Sequence, residues 1–474
     1  MFQLRSIFIF AASAAMLSGM TARADGHREW TAQQAADSMP QQWAYTSDRF
    51  QSLPVADNWW QEFDDPTLTD LISRGIDNNF NVAIAARRME MARQQIRESR
   101  AGYFPTIGLS AGWNASRTSG NLGSSSMPAS HSSNFSLGAD MSWEIDLFGR
   151  IGEQVKGSKA QFRASHADYL ATMNSLAAEI ASTYCQLRTL QARLAVAREH
   201  LQSQGRALKI AEVRHETGLV SKLDVAQART IYSSTESTIP TLETSIQTAI
   251  NALSLLVGEY PSAIAPLVET PQKLPDYLRL VAVGVPMDLL RRRPDIQAAE
   301  QQMAVAAAQA GVAKKDFLPV LSLTGSVGLA SHNIGDLVDG RSFTYAIAPK
   351  LSWTVFDGLA RNARLASARE NLALTVDQYK LTLLTAVEEV DNAMVAYTGQ
   401  IRSIASLETV VDQAREQMDL SLDQYKQGLE DFLSVAQAQI TFLQYADQLT
   451  AARGEAMADL ISLYKALGGG WSLE

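Results

Sequence analysis

Gly218-Leu219-Val220-Ser221-Lys222-Leu223-Asp224-Val225-Ala226-Gln227-Ala228 has a twin in Gly428-Leu429-Glu430-Asp431-Phe432-Leu433-Ser434-Val435-Ala436-Gln437-Ala438. The two glycines lie 428 minus 218, or 210, residues apart in a chain of 474, and Leu223 and Leu433 keep the same offset. Each glycine suits the left-handed residue that ends a helix. Three residues on, Ser221 and Asp431 stand in register as caps for a second helix. The chain reads as a tandem duplication whose unit contains a long antiparallel helix pair, with the quoted stretch as its tip.

The helices leading into the tips are unusually long. From Gln154 to Thr217 there is no proline, and Met173, Ile180, Leu187, Leu194, Leu201 and Leu208 recur every seven residues. In the second half Val376, Leu383, Val390, Tyr397, Ile404, Val411, Met418 and Tyr425 repeat the spacing. A strict seven-residue repeat implies left-handed coiled-coil packing. At 1.5 Å per residue, about 64 helical residues span roughly 95 Å, several times the thickness of a bilayer. Return helices run from Ser221 to about Val257 and from Asp431 to about Leu467, and Pro240 is expected to kink the first.

Ahead of each hairpin the period changes to two. Ile107, Leu109, Ala111, Trp113 and Ala115 alternate with small or polar residues. After a Ser/Gly-rich loop, Phe135, Leu137, Ala139, Met141, Trp143 and Ile145 alternate in the same way. Leu321, Leu323, Val327 and Leu329, then Tyr345, Ile347, Leu351, Trp353 and Val355, repeat the pattern, with Trp143 and Trp353 again 210 apart. Four strands are therefore expected, at about 105–116, 134–146, 319–330 and 345–356. Soluble strands average five or six residues, whereas membrane strands need about 9 to 11. Long strands with one apolar and one small-polar face match a lipid-out, lumen-in barrel wall. Four strands cannot close a barrel, for which about eight is the minimum, so the chain must oligomerise to cover its strand edges.

Composition narrows the class further. A formal net charge of −9 argues against nucleic acid or an anionic membrane surface as a partner. The single cysteine, Cys185, excludes an internal disulfide framework, and the six histidines show no ligand-like pairing. No nucleophile–base set, phosphate loop or metal spacing appears, so an enzyme is not expected and no cofactor is implied. Arg5, the apolar run Ile7–Leu17 and Ala22-Arg23-Ala24 read as a signal peptide over residues 1–24. The remaining organisation is an irregular segment at 25–60, repeat 1 at 61–257, a proline-rich linker at 258–286, repeat 2 at 287–467 and a tail at 468–474. Within the repeats the helical hairpins occupy about 154–257 and 358–467.

These residues resemble the TolC-like outer-membrane efflux proteins, in particular the OprM-like branch that serves resistance-nodulation-division pumps. The resemblance rests on Trp59-Trp60, Ala101-Gly102-Tyr103-Phe104-Pro105, Trp143-Glu144-Ile145-Asp146-Leu147-Phe148-Gly149-Arg150 and Leu289-Leu290-Arg291-Arg292-Arg293-Pro294-Asp295. Trp353-Thr354-Val355-Phe356-Asp357-Gly358 and Leu463-Tyr464-Lys465-Ala466-Leu467-Gly468-Gly469-Gly470-Trp471 complete it. It implies a mainly α chain with membrane β, forming a homotrimer with a 12-stranded β-barrel on a periplasmic α-barrel. It also implies docking to a periplasmic adaptor and an inner-membrane transporter, in the outer membrane of a bacterium. Members of this branch are commonly lipidated; here Met20 follows Leu17-Ser18-Gly19 where the lipidated cysteine would stand.

The resemblance further implies that side chains just past the tip glycines, Gly218 and Gly428, close the channel. By position the gate candidates are Asp224, Tyr425, Glu430, Asp431, Leu433, Ser434 and Gln437. A plainer reading stands beside several of them. Asp224 completes a Ser-x-x-Asp capping box, Asp431 serves as an N-cap, and Leu433 packs between helices. Asp140, Glu144 and Lys350 fall on the expected lumen face, either tuning ion preference or merely hydrating the wall. Arg291-Arg292-Arg293 reads as a structural junction rather than a nucleic-acid patch. The function expected is a passive duct exporting antibiotics or other toxic small molecules. A duct for metal ions such as copper and a structural coiled-coil envelope protein are the alternatives.

Overall fold

The computed structural model describes residues 39–119, 131–275 and 280–470. The expected signal peptide, the centre of the Ser/Gly-rich loop and Trp471 lie outside these residues. The described chain begins with a two-residue strand, β1 (Phe50–Gln51), and a turn of 3-10 helix at Trp59–Phe63. Then come α1 (Pro66–Asn78) and α2 (Phe80–Ala101). The Asp65 carboxylate accepts from the Thr67 and Leu68 amides at 2.9 and 3.1 Å, and Pro66 occupies the first turn, so α1 starts with its free donors satisfied.

Two long strands follow, β2 (Thr106–Arg117) and β3 (His131–Ile145). They lead into the 67-residue helix α3 (Arg150–Glu216) and its return helix α4 (Lys222–Val257), which runs unbroken through Pro240. The connection between repeats carries α5 (Pro261–Val268), β4 (Val281–Ala282) and the single turn α6 (Leu289–Arg292). Repeat 2 then restates the order with α7 (Pro294–Lys315), β5 (Val320–Ser331), β6 (Phe343–Ser352), the 68-residue α8 (Ala360–Gln427) and α9 (Phe432–Ala466).

The four long strands form one antiparallel sheet in the order β2-β3-β5-β6. Its register sorts the side chains by face. Leu109–Ala139–Val327–Tyr345 and Ile107–Met141–Gly325–Ile347 make apolar rows. Gly108–Asp140–Ser326–Ala346 and Glu144–Ser322–Lys350 make rows on the opposite face. The last strand is shorter than the alternation suggested. It stops at Ser352 because Val320, the first residue of β5, is its partner there, and beyond that point this chain offers no ladder. Trp353 instead donates its indole N–H to the Phe317 carbonyl at 3.0 Å. Trp143 donates likewise to the Tyr103 carbonyl, also at 3.0 Å, so each repeat pins its helix-to-strand turn with an indole.

At 1.5 Å per residue the 67- and 68-residue helices each extend roughly 100 Å, while their 36- and 35-residue returns reach about half that height. Nearer the sheet, α2 and α7 take over, packing on α3, and α7 also on α8. Nearer the tips the helices lie side by side in the order α4-α3-α9-α8. The seven-residue repeat faces inward: Met173, Ile180, Leu187 and Leu194 are buried, as are Leu383 through Tyr425 in the second series. Leu201, Leu208 and Val376 are half-buried.

Where the return helices end, a belt of short elements packs across the long helices. Among the described residues β1 and β4 pair in parallel, and the Trp43 indole donates to the Gly284 carbonyl at 3.2 Å. Trp59, wholly buried, stacks on Tyr464 with centroids 5.3 Å apart, joining the N-terminal segment to the last helix. Buried Arg188 of α3 donates to the Val268 and Thr270 carbonyls at 3.0 and 2.8 Å, anchoring α5. The arginine run is structural. Arg292 donates to the Val55 and Gly469 carbonyls, and Arg293 pairs with Asp295 and Glu389, each at 2.7 Å.

Gly468 and Gly469 take left-handed φ of 98° and 63°, and a Cβ on Gly469 would overlap the Asn174 side chain. Gly469→Ala therefore adds a steric clash to a backbone cost of roughly 1–2 kcal/mol. Thermal unfolding of the purified variant is expected several degrees below wild type. Gly340→Ala, in open space, should leave the transition where it is.

Candidate functional site

The two tips close in the same way because the same residues end each long helix. Gly218 and Gly428 have φ of 74° and 78°. Leu219 N–H reaches back to the Arg214 carbonyl at 2.8 Å, and Leu429 N–H to the Gln424 carbonyl at 3.0 Å, a paired helix-ending motif. The caps differ. Ser221 Oγ accepts from the Leu223 amide at 3.1 Å and donates to the Asp224 carboxylate at 2.8 Å. Asp431 accepts from the Ser434 amide at 3.2 Å, while Ser434 Oγ donates to Glu430 at 2.7 Å.

The tips also touch each other. Ala207, Ala211, Ala228 and Ile231 of hairpin 1 pack with Tyr425, Phe432, Val435 and Ala436 of hairpin 2 in an apolar cluster separate from the main core. Tyr425, 1% exposed, meets Phe432 edge-on at 5.3 Å. Its other neighbour is the Arg214 guanidinium, 4.8 Å from the ring centroid. Burial, reinforced by the nearby Asp224 charge, pushes the Tyr425 phenol up. Its hydroxyl feels that carboxylate without closing a well-formed hydrogen bond.

The gate candidates thus divide. Asp224 and Tyr425 belong to the contact between hairpins. Glu430, Asp431 and Ser434 form a capping network in the second tip. Leu433 and Gln437 lie exposed one turn apart on α9, with Ile440 continuing the face. Tyr425 does not share that face; its place in the seven-residue repeat puts it inside the packing of this chain. Leu433 is 58% exposed and is not packed within the chain. Arg214 was not singled out by the sequence. A basic residue in the last turn of a helix was the available signal, but its partners lie in the other repeat.

In the sheet, the small-polar face carries Asp140, Glu144 and Lys350. Arg150 grips Glu144 with two nitrogens, at 2.9 to 3.1 Å, so that carboxylate is locally compensated at the start of α3. Asp140 accepts from Ser110 Oγ at 3.1 Å. Lys350 stands two strands from Glu144 in the same row.

Between belt and tip the helix seam is polar. The buried positions of α3 between Arg188 and Ala207 are Gln191, Leu194, Ala197, His200 and Gln204. Both amide atoms of Gln204, and Nε2 of Gln439 in α9, are buried without a hydrogen-bond partner. His200 lies 4.6 Å from the Phe442 ring, whose own ring also lies 5.2 Å from the Arg415 guanidinium. Burial pushes the His200 imidazole down; Glu199 opposes that and Arg415 adds to it.

A family profile described as Outer membrane efflux protein matches residues 71–259 and 285–469, the two halves that the fold repeats. The chain belongs to the outer membrane efflux protein family. It is 31% identical over 426 residues to the solvent efflux pump outer membrane protein SrpC of Pseudomonas putida, covering 89% of this chain and 88% of that one. It is 29% identical over 382 residues to nodulation protein T of Rhizobium leguminosarum bv. trifolii, covering 80% and 81%. The fold superposes on the outer-membrane channel OprN with a TM-score of 0.85 at 29% identity, over 91% of this chain and 98% of that one. As an outer-membrane efflux channel, the protein sits in the outer membrane and extends its helices into the periplasm.

The burial of His200 carries an expected pH dependence of stability. A histidine held neutral in the fold but free to protonate when unfolded contributes stability above its unfolded pKa of about 6.5. That contribution is lost as pH falls through its lower folded value. The unfolding temperature should therefore drop between pH 7 and pH 5 by more in wild type than in His200→Gln.

Proposed function

We propose that three copies of this chain form a passive duct, the outer-membrane part of a tripartite pump that exports toxic small molecules. The observation that carries the reading is the four-stranded sheet with two open edges, β2 and β6, and opposite apolar and small-polar faces. Hydrocarbon offers no hydrogen-bond partner, so those edges must be met by strands of other copies. Two copies would give eight strands, a barrel whose interior side chains fill it; three give twelve, the smallest assembly with room for a water-filled lumen. The same operation lays α4 of one copy beside α8 of the next and closes the helices into a tube.

The energy comes from outside the duct, through a periplasmic adaptor and an inner-membrane resistance-nodulation-division transporter. The cargo is read from relatives, among them proteins named as solvent, toluene and antibiotic efflux pump components. Small apolar or amphiphilic toxins are therefore the proposed cargo. The far tips form the periplasmic mouth, with Leu433 and Gln437 lining it.

Purified protein is expected to run as a heat-sensitive trimer and to conduct ions in a planar bilayer, and a non-conducting monomer would overturn the duct. Leu433→Ser should raise the conductance of the shut channel severalfold. In cells, deletion should sensitise the host to antibiotics, dyes, detergents or toluene; sensitivity to copper alone would move the cargo to metal ions.

A further inference from the structure

We propose that a recess in the wall of the tube, at the height where α9 ends and α7 begins, is a resting site for cargo that carries a positive charge on an apolar body. The inference rests on the duct reading above and names the class of cargo held at this height.

The recess has a volume of about 540 Å³ and lies between α3, α7, α8 and α9. That size suits a drug-sized molecule. Ala171, Pro294, Ala393 and Ala396 give it an apolar wall. It opens away from the belt. Tyr464 of α9 faces Trp59 of the belt, whereas Asp459, Ser462 and Ala466, which line the recess, lie roughly half a turn around the same helix. Three copies of the belt inside the tube would fill its bore, so the belt lies outside and the recess faces the cargo path.

Its charges do not balance. Asp295, Glu389 and Asp459 line it against Arg293 and Lys465. Arg293 is shared between the first two carboxylates, at 2.7 Å from each. Asp459 is half-buried and, among the described residues, has no hydrogen-bond or ion-pair partner. Burial pushes its carboxyl up, and Glu455 one turn away adds to that, so its charge is uncompensated where it stands. Lys465 is exposed to solvent. Asn174, 6% exposed, also lines the recess, and its Oδ1 is buried without a hydrogen-bond partner, the negative end of an unanswered amide dipole. The end of α9 and the start of α7 meet here with opposite dipoles, so the side chains decide the sign. A bare metal ion is the rival occupant. Among the described residues, however, no three carboxylate, imidazole or thiol groups stand close enough together to hold one. An organic cation needs no such ligand set: the unbalanced charge attracts it, and its hydrocarbon is buried against the alanines.

The test titrates purified full-length protein in detergent with tetraphenylphosphonium and with tetraphenylborate, two ions of one shape and opposite charge. Calorimetry should find saturable tetraphenylphosphonium binding at one site per chain and none for tetraphenylborate. Asp459→Asn, which keeps the shape of the side chain, should weaken tetraphenylphosphonium roughly tenfold. Asp459→Lys should reverse the preference between the two ions. Ala396→Phe, which fills the recess from an exposed position on α8, should abolish tetraphenylphosphonium binding. Ser462→Cys labelled with a bulky thiol reagent should lower conductance in a planar bilayer, because that residue faces the bore; the native Cys185 is buried and should not react. Equal binding of the two ions, or tetraphenylphosphonium binding unchanged in Asp459→Asn, overturns the site. Unchanged conductance of labelled Ser462→Cys removes the recess from the cargo path and overturns the proposal too. If Asp459→Lys fails to assemble, Asp459→Asn and Ala396→Phe still decide. A conducting trimer that binds no tetraphenylphosphonium overturns the resting site alone, whereas a non-conducting monomer overturns the duct reading and the site with it.

Discussion

A strand edge in hydrocarbon cannot borrow hydrogen bonds from water, and this chain carries two such edges. The proposed assembly follows from that constraint. It demands neighbouring copies, and the neighbours impose a rotation axis along the tube. Side-by-side helices suit such an axis better than a compact bundle does. They continue the wall that the strands begin, with small Ala-rich faces available for close approach. The indoles of Trp143 and Trp353 hold the turns where wall material changes from sheet to helix.

Duplication solves a second problem. Long helices with half-length partners leave each one bare near the sheet, and α2 and α7 cover that stretch. The changeover between the two sets of partners is where packing would fail, and there the chain places its belt. Its parts come from sequence extremes: Trp59 near the start, the linker in the middle, Tyr464 and the glycine run near the end.

Most of this architecture was readable because it is periodic. Alternation announced the sheet, the sevenfold spacing announced the coiled packing, and the 210-residue offset tied the halves together. What the sequence concealed was pairwise and distant. Where β6 ends depends on where β5 begins. The belt pairing between Phe50 and Val281 leaves no local trace. Tyr425 was legible as a buried repeat position, and Phe432 and Arg214 do flank its ring. Arg214 itself was silent, since its acceptors lie 211 and 212 residues away.

The polar seam around His200, Gln204 and Gln439 sets how the tube behaves as a mechanical object. Above it, the belt and the aromatic core make a stiff cylinder; below it, the tip cluster makes a small rigid cap. The seam joins them through buried amides that lack hydrogen-bond partners, so it is held less firmly than either neighbour. The lever arm is the whole stretch of helix from seam to tip, so a small change of angle at His200 becomes a large displacement at Leu433.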